Sequence, residues 1–479
     1  MILLLITTKT IYTQKGTTLM NIIQQVLEVI TKEYFNNLNS LVVNQENISD
    51  LILKTDKMMK NVGAMLIKDS LEEIDKCVRK SKERKSNWYV ERRAEVKTLS
   101  TILGDVTYER TYYRNKHTGE YAYLSDEKMG IKVHERMDDS LRAELVEKAG
   151  NLSYAKTIND FNNIGIHSRT TVMKAIREVE AIFNDAAPVK YNNRKVGTLY
   201  VEADEDHIAM QHGNGKMAYI VYVHEGIEKV SKGRNRLINV RYFTGVKMKS
   251  EDLWIDVANY IEKAYDTDAI KKVYLSGDGA AWIKEGLNWI PKSMFVLDRF
   301  HLAKYVKRAT AHIPDMHDRM WSCIDKNKKE DAKKLFEEIG KSTEKESKRK
   351  SVAEVRTYVI GNWEAIQRQY LEDYIGCSAE GHVSHVLSDR LSSRPMGWSI
   401  EGADQMASLR VFKFNGGKIY EYITNKRKAE EKRARIDKLD SRIIKRSMKN
   451  AYETLDNITI INFGKRSAAT NFLKSVRGL

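Results

Sequence analysis

With 479 residues the chain has room for about three domains of ~150 residues each, and at 42% hydrophobic it holds enough apolar material for real cores. Its formal charge of +16 points to a polyanionic partner, nucleic acid before others, the plainer alternative being a soluble protein with solvated lysines. Cys77, Cys323 and Cys377 form no CxxC pair, which argues against a zinc finger or a disulfide framework and for free thiols in a reducing cytosol.

The opening MILLLITT is a short apolar run without a basic leader, and its apolar core is shorter than a secretory signal needs. Residues 1–19 are therefore expected to be an extension ahead of a true start at Met20. No later stretch approaches the ~20 apolar residues of a membrane span. Residues 20–90 read as helical, because Ile22, Ile23, Val26, Leu27 and Ile30 recur at helical spacing. They are expected to serve packing or dimerisation. Residues 91–135 switch to the alternating text of a small β module, VKTLSTILGDVTYERTYYRNKHTGEYAYL, with turns at Gly104 and Gly119.

Residues 136–190 return to helix. DDSLRAELVEKAG forms one helix, SYAKTINDFNN a second capped by Ser153, and HSRTTVMKAIREV a third capped by Ser168, with a tight NIGI turn before the third. This spacing predicts a helix-turn-helix. Its last helix would offer His167, Arg169, Thr170, Thr171 and Lys174 to DNA near its N-terminal end. An ordinary three-helix packing unit is the alternative.

Residues 197–301 read as GTLYVEADEDHIAMQ, KMAYIVYVHEGIEKV and RLINVRYFTGV, three successive strands. A helix with Ser250 as its cap follows, then strand KKVYLSGD, helix AAWIKEGLNWI, strand KSMFVLD and helix RFHLAKYVKRAT. Three antiparallel strands followed by alternating helices and strands predict an α/β fold with an RNase H-like core. Residues 302–373 are expected to be a charged helical insertion, with STEKESKRK as a solvated loop. Residues 374–420 resume the core, and 421–479 form a basic helical tail striped by Ile436, Leu439, Ile443, Met448, Ala451 and Leu455.

The chemistry is carried by acids. Phosphodiester transfer uses two Mg²⁺ ions held by hard carboxylate oxygens. On the first core strand, period-two alternation puts Glu202, Asp204 and Asp206 on one face, opposite Val201 and Ala203. Acids on a buried face are costly unless solvated, paired or metal-bound. Asp204, deepest in the strand, is the first candidate and Asp206 its substitute. Asp278 ends the fourth strand before Gly279 and Ala280, which are small enough for a phosphate to approach. Glu380 opens a helix whose core face is Val383, Val386, Leu387 and Leu391, and it could otherwise serve only the helix dipole. Asp298 and His301 follow the fifth strand, where the histidine could bind the scissile phosphate or be a structural residue at a helix start. His382 and His385 could pair on zinc, but no third soft ligand is near, and polar helix surface fits better.

The blocks YVEADEDH, LSGDGAAWIKEG, LDRFHLAKY and EGHVSHVLSDRLSSRPMGWS resemble the bacterial insertion-sequence transposases of the ISLre-two family. That family, also catalogued as an uncharacterised-protein family, belongs to the DDE superfamily and is related to the Mutator-like group. The resemblance runs from about Met20 over most of the chain. It implies catalytic and metal roles for Asp204, Asp278 and Glu380 with Mg²⁺, or Mn²⁺ as substitute. The acid-two-His element of the Mutator-like relatives falls on Asp298 and His301. Arg299, Lys304 and Lys307 would hold backbone phosphates. The implied partners are double-stranded DNA, as element ends and target, and further copies of the chain in a homodimer or larger synaptic assembly, with no membrane. Two rivals remain: a catalytically silent DNA-binding protein derived from a transposase, and an RNase H-fold nuclease.

Overall fold

The computed structural model describes residues 16–433 apart from 45, 167 and 233. His167, the apolar run that opens the chain and the tail stripe from Ile436 onward lie outside the described residues. Contacts divide the chain into Met1–Ile419 and Tyr420–Leu479, and the described part of the second unit, 420–433, is helical. No described helix is long and apolar enough to cross a membrane.

Helices α1 (Gly16–Val43) and α2 (Ile48–Lys80) pack on each other. Asn47 starts α2 with a capping box that satisfies the free amides of the first turn. After the short helix α3 (Lys82–Asn87), strands β1 (Trp88–Thr101) and β2 (Gly104–Asn115) form an antiparallel hairpin extended by β3 (Tyr121–Ala122). Gly104 takes φ 115° at its turn, a conformation other residues resist. Leu71 of α2 joins Leu99, Val106 and Tyr108 in a small core. Buried Asp126 of α4 (Leu124–Lys128) is held by Lys97, Arg110 and Tyr108, so its charge is compensated.

Helices α5 (Asp139–Ala149), α6 (Tyr154–Phe161) and α7 (Arg169–Val179) then form a three-helix unit. Asp138, Ser153 and Ser168 each cap one of them, and Gly165 takes φ 75° in the turn before α7. The end of α5 is tied to the rest of the chain by cations. Lys413, Arg390 and Arg410 donate to the carbonyls of Glu147, Ala149 and Gly150 at 2.9, 3.0 and 2.7 Å. Those are the orphan acceptors of a helix C-terminus, where positive charge is favoured.

The central sheet has the order β10-β9-β4-β5-β8, from β4 (Thr198–Ile208), β5 (Lys216–His224), β8 (Arg241–Gly245), β9 (Lys272–Gly277) and β10 (Ser293–Leu297). β4 runs antiparallel to β5 and parallel to β9. The second predicted strand is too long: the chain leaves the sheet after His224, where Gly226 takes φ 133°. Exposed β6 (Ile227–Ser231) then pairs with β7 (Arg234–Leu237) in a separate hairpin. Helices α8 (Ser250–Ala264) and α9 (Ala281–Trp289) cover one sheet face. Ser250 does not cap α8 as expected: it is the first helical residue, and its hydroxyl donates to Glu285 at 2.6 Å.

From α10 (Arg299–Thr310) the chain continues through α11 (Asp315–Asp325), α12 (Lys329–Ser342), α13 (Glu346–Gly361) and α14 (Trp363–Gln367). Their apolar stripes, including Met320, Phe336, Val355 and Trp363, merge with the core under the sheet. The predicted loop here is shorter than expected, because Glu346 to Lys350 already belong to α13, where the two make an i,i+4 ion pair. The opposite sheet face is met by α15 (Ala379–Val383), a π-helical turn at Ser384–Ser388, α16 (Asp389–Leu391) and α17 (Ile400–Phe414).

Candidate active site

Alternation along β4 decides which side chains reach the site. Leu199, Val201 and Ala203 enter the main core, while Glu202, Asp204 and Asp206 face the other way, toward the Glu380 helix and the segment after it. The three acids are not equivalent. Glu202 is a closed hub. Its Oε2 accepts from the Tyr222 hydroxyl at 2.5 Å and the Ser378 amide at 2.6 Å, and its Oε1 meets His224 Nε2 at 3.0 Å. Burial pushes the Glu202 carboxyl up, but the bonds from His224, Tyr222 and Ser378 outweigh it and hold the carboxyl below its ordinary value. Asp206 accepts from the Ser392 hydroxyl at 2.7 Å. Asp204 has only the Glu205 amide, at 2.9 Å.

Asp278 sits one residue past β9. The parallel register places Glu202 opposite Ser276, so two residues further along each strand Asp204 comes beside Asp278. Gly277 makes this approach possible, since a Cβ there would lie 2.8 Å from the Ala203 carbonyl. The Asp278 carboxylate accepts the Ala280 amide at 2.8 Å, and Gly279 takes φ 90° in the same turn. Tyr358 reaches in from α13 and donates to the Asp278 carbonyl at 2.5 Å.

Asp298 caps α10, accepting from the Phe300 amide at 3.2 Å and meeting His301 Nδ1 at 2.9 Å. That bond, opposed by burial and aided by the charges of Asp298, Asp204 and Asp278, raises the His301 pKa. Glu380 is exposed in the first turn of α15. Its charge and that of Asp278 both act on Asp204. Burial first, then these two carboxylates, push the Asp204 carboxyl up to about 6, against the Glu205 amide and His301. Asp278, Glu380 and His301 are therefore within electrostatic reach of Asp204, and Asp298, Asp204 and Asp278 within reach of His301. Among the described residues no three His, Cys, Asp or Glu side chains are already gathered at metal-ligand spacing. The donor set nevertheless fits a hard divalent cation: Asp204, pushed up by burial and then by the charges of Asp278 and Glu380, would be relieved by one.

The basic residues divide. Arg299 lies over the Trp321 ring of α11 at 5.1 Å and bonds Tyr370. Lys304 and Lys307 are exposed on α10. On α7, Arg169, Thr170 and Lys174 are exposed and Thr171 is half-buried. His382 does not sit on polar helix surface. It is half-buried and bonded to the Tyr242 hydroxyl at 2.7 Å, while His385 is exposed.

Sequence reasoning missed the Glu202 hub and Tyr358. Glu202 carried a signal, its place in the acidic alternation, but Tyr222, His224 and Tyr358 stand in segments whose text shows only strand and helix. A cavity of about 920 Å³ opens beside the hub, lined by Glu202, His224 and His382 but by none of Asp204, Asp278 and Glu380.

The sequence profile of an uncharacterised protein family, UPF0236, matches residues 41–428. A UPF0236 protein of Caldanaerobacter subterraneus subsp. tengcongensis, whose name joins eleven loci, is 41% identical over 461 residues, covering 95% of this chain and 97% of its own length. A second from the same organism is 41% identical over 452 residues, 93% of this chain and 96% of its own. The UPF0236 protein in the vanSb 3′ region of Streptococcus gallolyticus is 23% identical over 396 residues, 79% of this chain and 86% of its own. The chain thus belongs to the uncharacterised protein family UPF0236.

Proposed function

We propose that the chain is a DDE-type transposase, which cuts DNA at the ends of a mobile element and joins the freed 3′ ends to target DNA. The observation that carries this reading is that Asp278 and Glu380 both act on the Asp204 carboxyl, which burial first and then their charges push up to about 6. The sheet order, with β4 antiparallel to β5 and parallel to β9, supports an RNase H-like core. The capped helix after the Gly165 turn supports a helix-turn-helix. A relative whose single name joins eleven loci of one organism supports a sequence that multiplies by moving.

Asp204, Asp278 and Glu380 would hold Mg²⁺, or Mn²⁺ in its place. When bound, the metal supplies Lewis-acid activation of the phosphodiester and neutralises the clustered charge. Asp298 fixes the His301 ring and favours its protonated form, leaving Nε2 to donate to a non-bridging oxygen of the scissile phosphate. Lys304 and Lys307 hold flanking phosphates. In the first step a water oxygen bonds to phosphorus as the P–O3′ bond breaks, which frees a 3′-hydroxyl. In the second that hydroxyl attacks a target phosphodiester and displaces its 3′-oxygen. No protein nucleophile is needed. Holding two element ends together calls for at least two copies of the chain.

The test is nicking of a labelled duplex carrying the element's own end, with wild type beside Asp278→Asn, in Mg²⁺ and in Mn²⁺. Nicking by the wild type alone is expected. Binding by both proteins with cleavage by neither would sink the enzyme reading in favour of a silent DNA-binding protein.

A further inference from the structure

A cavity of about 450 Å³ lies between the three-helix unit and the segment that follows the Glu380 helix. Its walls include Arg169 and Arg177 of α7, Arg390 of α16, and Tyr154, Trp398 and Gln405, and no acidic residue lines it. No carboxylate among the described residues makes an ion pair with any of the three arginines, although ion pairs are common elsewhere on this chain. Arg390 is 4% exposed. Its guanidinium lies 5.3 Å from the Tyr154 ring and 4.9 Å from the Trp398 ring, and its Nε donates to the Ala149 carbonyl, so it is fixed in place, and the nearby Asp389 acts on it by charge without an ion pair. A buried charge normally has a partner. Arg390 is buried without one, and with the exposed Arg169 and Arg177 on the walls of the same cavity it describes a site whose anion comes from outside. A second unmet group lies beside them: Gln405 Oε1 is buried and accepts no hydrogen bond.

The pocket also joins the two halves of the proposed machinery. On α7, Arg169, Met173, Ile176 and Arg177 share one face by helical spacing and line the cavity, while Thr170 and Lys174 lie off that face. On its other wall, Trp398 is locked to the chain just beyond β4, its amide donating to the Ala209 carbonyl and its carbonyl accepting the Gln211 amide, each at 2.9 Å. The cavity therefore opens between the helix proposed to read DNA and the end of the strand that carries Asp204.

We propose that this cavity is a nucleotide subsite, which takes one phosphate and its base from the DNA strand running between α7 and the carboxylates. Arg169, Arg177 and Arg390 bind the phosphate, Tyr154 walls the ring, and Gln405 Oε1 accepts from an exocyclic amino group of the base. This inference rests on the DNA reading above.

The test is equilibrium binding of a fluorescein-labelled 30-base-pair duplex, followed by anisotropy over a KCl series. Wild type is compared with the Arg169→Gln/Arg177→Gln double variant, both positions being exposed, and with Gln405→Leu. Each lost phosphate contact lowers the slope of log affinity against log salt by about 0.9. The double variant is expected to lose up to about that much, with at least a tenfold loss of affinity at the lowest salt. Gln405→Leu, with urea unfolding confirming a wild-type fold, is expected to weaken binding about fivefold or more with the slope unchanged, which a general loss of charge would not produce. Wild-type slope and affinity in both variants overturn the subsite even if the wild type binds and nicks DNA. A wild type that binds no duplex overturns the DNA reading itself, a result distinct from the first because it precedes any substitution.

Discussion

Replacing Asp204 by Asn is expected to stabilise the metal-free protein while abolishing its activity. Asp204 is 8% exposed, and its carboxyl is moved from 3.8 to about 6 by burial and by the charges of Asp278 and Glu380. At 1.36 kcal/mol per pH unit this corresponds to about 3 kcal/mol held against the folded state at neutral pH. Asn keeps the oxygen that accepts the Glu205 amide and carries no charge, so roughly 1–3 kcal/mol should be recovered once relaxation is allowed for. The sign follows from linkage. As pH rises from 3.8 to about 6 the unfolded wild type loses its proton first, so the folded wild type weakens relative to the variant. Above that window the difference is constant, and below it the difference closes. Urea unfolding in EDTA at pH 8 and pH 4 measures this directly. A variant no more stable than wild type at pH 8, or an advantage unchanged at pH 4, would show that the Asp204 charge does not destabilise the fold.

Asp298→Asn removes the partner that favours protonated His301. Cleavage is expected to fall about 10- to 100-fold, and the alkaline limb of its pH–rate profile to move to lower pH, because the raised His301 pKa returns toward 6.5. An unmoved limb would place His301 outside the reaction. Gly277→Ala puts a methyl 2.8 Å from the Ala203 carbonyl, so a loss of roughly 1–3 kcal/mol is expected in urea unfolding, with Asp204 and Asp278 forced apart. Glu202→Gln leaves buried His224 without its carboxylate and is expected to cost about 3 kcal/mol, measured the same way; a neutral result would mean the hub does not anchor the Glu380 helix.

Much of the frame is legible in the text because it rests on local rules. The β4 alternation reads correctly since one face is apolar core, so Val201 and Ala203 fix where Asp204 points. Ser153 and Ser168 are visible as caps because capping needs only the next three residues. What the text hides depends on distant partners. Nothing near Glu202 in the text shows that Tyr222, His224 and Ser378, up to 176 residues away, bond its carboxylate. His382 looks like surface until the edge strand supplies Tyr242. The early end of β5 turns on Gly226, which a run of β-favouring residues conceals.

On the proposed function, Asp204, Asp278 and Glu380 form one divalent-cation site. Mn²⁺ binding, followed by electron paramagnetic resonance in titrations of wild type, Asp204→Asn, Asp278→Asn and Glu380→Gln, tests it without DNA or turnover. Tight binding by the wild type, weakened at least tenfold by each substitution, is the predicted result. Four titrations that superimpose would contradict it.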